Sequence, residues 1–230
     1  MKEVDRAEFT KAMKSTHTIL LPNMLHYHNA LLQAAFAAAG YHVEILSEEK
    51  NLPGYSLPYI SGDYCLPTVL ILGQVLAALR SGRFSPDQIA FMEPQAGGAC
   101  RAGNIYNSII EILKKTGYSQ IPVISLNAFG NDRHPGFTIT PKLLFCAIAA
   151  VCFGDLLMTL YQQVRPYERR KGDAKACWER WNRKLCEDIM TGKNISRKKR
   201  KEQYRQIVRE FAQIPVEDRD IRRVGITGEI

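Results

Sequence analysis

Apolar positions along the chain fall into two regimes. From Thr18 to Leu126, short apolar runs alternate with longer segments of helical periodicity. Thr18-Ile19-Leu20-Leu21-Pro22 reads as a buried strand closed by a turn, and residues 41–46 read as a second strand. Between them, residues 24–39 are rich in Ala and Leu without an internal Gly or Pro, so they predict a helix that Gly40 stops. A loop rich in Pro and Gly at 51–63 leads to Cys65 and to an apolar helix ending near Arg80. The pattern then repeats, with a strand at 89–92, a glycine-containing loop at 95–99, a helix at 101–116 stopped by Gly117, and a strand at 121–126. Strand–helix–strand order of this kind is the right-handed crossover of a parallel sheet. The fold class is therefore α/β: an open parallel sheet, Rossmann-like or flavodoxin-like, with helices on both faces.

After Pro141 the character changes. Segments 142–161, 174–190 and 197–211 read as helices, with no strand between them. The expected organisation is an arm over residues 1–17, whose segment 4–14 reads as a short polar helix or as plain arm, an α/β domain at 18–139 and a helical segment at 140–215. Residues 216–230 end in Arg223-Val224-Gly225-Ile226-Thr227-Gly228-Glu229-Ile230, a strand running into a glycine turn. That is the usual opening of another α/β unit, so this end reads as the start of a truncated second α/β domain and the chain as a fragment.

Charge sharpens this division. The net charge is +8, yet residues 165–209 hold 16 Lys and Arg against 6 Asp and Glu, a local +10, and the rest is near neutral. Apolar content of 46% excludes wholesale disorder. No secretory signal is legible, and the longest apolar stretch, 143–153, is shorter than the roughly 20 residues of a membrane span. The expectation is a cytoplasmic protein without a membrane partner. Arg197-Lys198-Lys199-Arg200-Lys201 could meet phosphates. Tyr204, Ile207, Val208 and Phe211 make the segment one amphipathic helix instead, without the aromatic interleaving of a nucleic-acid platform. Nucleic acid is not the expected partner.

Six cysteines in a chain without a signal peptide point to thiols or ligands rather than disulfides. Cys65, in Gly62-Asp63-Tyr64-Cys65-Leu66-Pro67, and Cys100, in Gly97-Gly98-Ala99-Cys100-Arg101, each stand just before a helix. Free backbone N–H groups and the positive end of the macrodipole favour a thiolate there. Two such sites suggest a shared inorganic ligand, an iron–sulfur cluster foremost; the alternative is a small buried residue at each helix start. Because Cys100 directly follows a strand, it falls where open α/β sheets bind ligands. Gly97 and Gly98 allow the backbone to approach a ligand closely or form an ordinary turn. Arg101 either offsets cluster charge, holds a CoA phosphate or lies on the surface. Cys146 and Cys152, six apart on an apolar helix, are expected in the core, and Cys177 and Cys186 lack zinc spacing. His26 and His28, two apart in the expected helix, suit no shared metal, although His26 could border the crevice.

Several segments together resemble the C-terminal region of proteins related to activators of 2-hydroxyglutaryl-CoA dehydratase, the acyl-CoA dehydratase activase-related proteins. They are Leu20-Leu21-Pro22-Asn23-Met24, Ala38-Ala39-Gly40-Tyr41, Tyr64-Cys65-Leu66-Pro67 with Gly73-Gln74, and Gly97-Gly98-Ala99-Cys100-Arg101-Ala102 with Asn104. Further along come Pro122-Val123-Ile124-Ser125-Leu126-Asn127, Gly154-Asp155-Leu156-Leu157, Arg165-Pro166-Tyr167-Glu168 and Gly225-Ile226-Thr227-Gly228-Glu229-Ile230. Members of that family are longer and carry ATP-binding domains ahead of a region similar to the dehydratase iron–sulfur subunits. The resemblance implies that Cys65 and Cys100 are two ligands of a [4Fe-4S] cluster held by three cysteines, the third lying beyond Ile230 or on a partner. It implies a module of an acyl-CoA dehydratase or reductase system, involved in low-potential electron transfer in anaerobic metabolism, with an ATP-dependent activase domain or dehydratase subunit as partner and acyl-CoA as a further ligand. The alternative is a non-catalytic assembly module of the same system. Nothing resembles a phosphate loop, so no ATP site is expected in this chain.

Overall fold

The computed structural model describes residues 6–46, 50–94, 100–126, 134–193, 196–221 and 225, with the backbone alone at 101 and 102. In chain order the elements are α1 (Met13–Thr16), β1 (Thr18–Leu21), α2 (Asn29–Ala38), β2 (His42–Ile45), α3 (Leu52–Ser56), α4 (Leu66–Arg80), β3 (Ile89–Pro94), α5 (Ile105–Lys115), β4 (Val123–Leu126), α6 (Pro141–Val164), α7 (Asp173–Thr191) and α8 (Arg197–Ala212). They form two compact units. The first comprises Met1–Met24 and Gly40–Ile139, and the second Leu25–Ala39 and Thr140–Glu229. The closing strand-and-glycine segment falls almost wholly outside the described residues.

In the first unit the four strands make one all-parallel sheet of order β2-β1-β3-β4. Thr18 pairs with His42 on one side and Ile89 on the other, and Phe91 pairs with Val123. Strands this short and this apolar suit a sheet covered on both faces, and five of the six β3 residues are buried. One face is visible in full. Leu20, Ile89, Phe91 and Val123 pack against Ile71, Leu72, Val75 and Leu76 of α4 and Ile105, Ile109, Ile112 and Leu113 of α5. The i, i+3, i+4 spacing of those α5 residues is the amphipathic signal that predicts the helix.

Three details of this unit depart from the sequence expectation. Among the described residues the arm holds only the single turn α1, because Phe9 leaves helical geometry to bury its ring completely. Its N–H donates to His134 Nδ1 at 2.9 Å, and its carbonyl accepts from Gly136 N–H at 2.8 Å. The expected loop at 51–63 contains α3 and a 3-10 turn at Leu57–Tyr59, each with a proline in its first turn, where a missing N–H costs nothing. Finally, α3 lies so close to α4 that a Cβ at Gly73 would overlap the Leu52 carbonyl.

The second unit is helical. Helix α2 packs on α6 and α7, and α8 packs on both α6 and α7. The core of this unit includes Leu31, Ala35 and Phe36 of α2, Leu143, Cys146, Ala149, Ala150, Phe153 and Leu157 of α6, Cys177, Trp181, Leu185 and Ile189 of α7, and Ile207 and Phe211 of α8. The Thr140 hydroxyl caps α6 by accepting from Leu143 N–H at 3.1 Å. Buried Glu168 accepts from the N–H groups of Gly172 at 2.7 Å and Ala174 at 2.8 Å, holding the start of α7. Residues 167–169 pair with 215–217, through Arg169 N–H to Pro215 O and Glu217 N–H to Tyr167 O.

Helix α2 starts at Asn29, later than expected, because the backbone turns at Leu25, whose carbonyl accepts from the N–H groups of His28 and Asn29. His26 and His28 thus precede the helix. His26 stacks on Trp178, and buried His28 bonds Asp155 at 2.9 Å. Gly154 makes room for that ring, since a Cβ there would overlap it. Helix α6 runs on past Gly154 and Asp155 to Val164, so its 24 residues are long and apolar enough to cross a membrane by length and composition.

Candidate functional site

Strand order fixes where this sheet binds ligands. From β1 the chain crosses to β2 on one side, whereas β3 and β4 lie on the other, so β1 and β3 flank the topological switch point. The connections leaving the carboxyl ends of β1 and β3 begin there. The first is held in place by Gln74 of α4, a buried amide that accepts from Asn23 N–H at 2.7 Å and donates to Asn23 O at 3.4 Å.

Cys65 is the N-cap residue of α4, with extended backbone and a carbonyl that accepts from Val69 N–H at 3.1 Å. Its half-buried thiol is 3.1 Å from Thr68 Oγ1. It opens onto a cavity of about 200 Å³ lined by Asp63, Tyr64, Cys65, Thr68, Asn104 and Ser108. The first four lead into α4 and the last two into α5, so the cavity lies between two helix starts. Free N–H groups and the positive macrodipole ends make such a place receptive to negative charge. Asn104 is fixed by Asn107, which donates to its Oδ1 at 2.9 Å, and by Ser108, whose hydroxyl donates to its carbonyl at 3.1 Å.

Cys100 is exposed and does not line this cavity. Its carbonyl accepts from Gly103 N–H at 3.1 Å, opening the 3-10 turn Arg101–Asn104 that runs into α5. Gly97 and Gly98 lie outside the described residues, as does the Arg101 side chain.

The donor set can be tested against a cluster. A [4Fe-4S] group takes four thiolates in the common case and three in the family resembled. Among the described residues no three His, Cys, Asp or Glu side chains gather to hold a metal. Cys65 and Cys100 have the right chemistry, but the described residues do not complete a cluster site. Three other thiols are poor donors, because burial pushes Cys146 and Cys177 upward and Cys186 to about 11, which favours the neutral form. Cys152 corrects the sequence reading. It is exposed on α6, where it meets the Tyr204 hydroxyl, rather than packed in the core.

One group at this end of the sheet escaped the sequence reading. Glu93, on β3, is 1% exposed, and its Oε2 has no hydrogen-bond partner among the described residues. Burial raises its carboxyl to about 8, so it is mostly protonated at neutral pH. By strand alternation it shares the α4 and α5 face with Ile89 and Phe91, and it pairs with Ser125 of β4. The available signal was a carboxylate directly after the run Ile89-Ala90-Phe91-Met92, within reach of a strand end.

Comparison with known proteins finds no matching family model, no similar curated protein and no similar solved structure.

Proposed function

We propose that this chain is an iron–sulfur-binding module of an acyl-CoA dehydratase, reductase or activase-related system, acting in low-potential electron transfer in the cytoplasm. Cys65 and Cys100 contribute thiolates, and the remaining ligands come from outside the described residues. The observation that carries this reading is the position of Cys65: a thiol at the N-cap of α4, facing a cavity between two helix starts at the ligand-binding end of a parallel sheet. The segment-by-segment resemblance supports it, and such a cluster would supply one-electron chemistry that side chains lack. An activase domain or dehydratase subunit is the proposed partner, and acyl-CoA the proposed substrate class.

A second reading, a non-catalytic module that docks a partner subunit, is favoured by the exposed apolar side chains of α6. Anaerobic reconstitution with iron and sulfide separates the two. The first predicts a brown protein whose visible absorption falls in Cys65→Ser and Cys100→Ser, while far-UV circular dichroism is unchanged. A colourless product, both alone and with a dehydratase-type subunit supplying cysteines, would sink it in favour of the second.

A further inference from the structure

The second unit carries a surface that the proposed electron-transfer role does not use. On α6, Leu144, Phe145, Ile148 and Val151 are between 39% and 53% exposed. Their spacing places them on one helix face, opposite the buried Cys146, Ala150 and Phe153. Single exposed apolar residues are ordinary, whereas a contiguous set marks a contact surface.

Helix α8 banks against one side of this stripe. Arg200 lies over the Phe145 ring at 4.6 Å, and Tyr204 meets Phe153 with ring centroids 4.7 Å apart. Helix α7 touches α8 on a different side, through Asp188 with Gln203 and Trp181 with Glu210. The exposed cations Arg197, Lys201 and Arg205 follow Arg200 and Tyr204 around α8 on the side away from α7, and Lys198 and Arg209 continue that bank. These five cations span about 18 Å of helix, at 1.5 Å per residue. Lys142, exposed one turn before Phe145, adds a sixth.

From this juxtaposition we infer that α6 and α8 form a docking surface for an anionic lipid bilayer, with the α6 stripe entering the headgroup–acyl boundary and the α8 cations meeting lipid phosphates and carboxylates. Charge selects the occupant. The region from 165 to 209 carries a local +10, so a second copy of the chain would be repelled, and an anionic surface is drawn in. Cations spread along a helix beside an apolar stripe match a sheet of headgroups, because long Lys and Arg stems reach sideways to the interface. Helix α6 lies on the bilayer rather than across it, since its other face is committed to α2, α7 and α8.

Flotation of the full chain with phosphatidylcholine vesicles, with and without phosphatidylserine, tests this. Binding is expected only with phosphatidylserine and is expected to weaken as salt rises. Each cation removed from Lys198, Lys201 and Arg205 by substitution to Gln should lower the partition about fivefold. Ile148→Glu and, independently, Leu144→Ser should reduce binding while circular dichroism stays unchanged. Failure to float at low salt would overturn the inference, as would flotation indifferent to both α6 variants. So would a concentration-dependent dimer, or capture of an acidic amphipathic peptide, that is lost in Ile148→Glu while vesicles remain unbound.

Discussion

Glu93 shows how one buried carboxyl makes a whole fold sensitive to pH. Its folded value of about 8 lies above the ordinary 4.5, so the folded chain binds its proton more tightly than the unfolded chain. Stability from this group is therefore complete below 4.5 and declines as pH rises toward 8. The span corresponds to a loss on the order of 5 kcal/mol well above pH 8. Glu93→Gln keeps the shape and cannot ionise, so urea midpoints for parent and variant should agree at pH 4.5 and diverge by pH 8.5, the variant becoming the more stable. Parallel curves across that range would show that the carboxyl finds a way to ionise at no cost. The residue was hard to see in the sequence because a strand's two-residue period says which face a side chain takes, not whether water reaches it. The opposite holds for Cys65, whose place at a helix start followed from Leu66-Pro67 and the apolar run beyond, and the structure has it as the N-cap.

At the scale of elements, the parallel α/β layer was legible because β1, β3 and β4 are largely apolar, β2 alternates polar and apolar residues, and the intervening helices have their stop signals. What the pattern hid were places where one residue serves two elements. A Pro- and Gly-rich stretch reads as loop, yet Pro53 sits in the first turn of α3, and Gly73 on the next helix lets α3 approach. Gly154 likewise reads as an ordinary position within the helix expected at 142–161, whereas its missing side chain admits the His28 ring. Gly73→Ala puts a methyl group into the Leu52 carbonyl. Overpacking against backbone costs up to about 3 kcal/mol, which exceeds the roughly 1 kcal/mol that alanine gains over glycine in a helix. Chemical denaturation should therefore show a net loss of about 1–2 kcal/mol. A stability gain would mean that α3 is not held against α4 in solution.

For the molecule as a whole, the decisive fact is that α2 belongs with α6 and α7 although it is the crossover between β1 and β2. A strand–helix–strand pattern tells which elements are sequential, and contacts between residues 25–39 and a segment more than a hundred positions later leave no local trace. The fragment 1–139 contains every strand among the described residues but lacks the helices that bury Leu31, Ala35 and Phe36 in the second unit. It should bind a hydrophobic dye strongly and unfold without a sharp transition, whereas the full chain should unfold cooperatively. A sharp transition and weak dye binding in the fragment would show that α2 needs no partner from the later part. The same interleaving bears on how such a sequence can be inherited. No single cut in the gene releases either unit with all its parts, so recombination that preserves folding must move the sheet and the helices as one cassette, and each unit's substitutions are selected in the presence of the other.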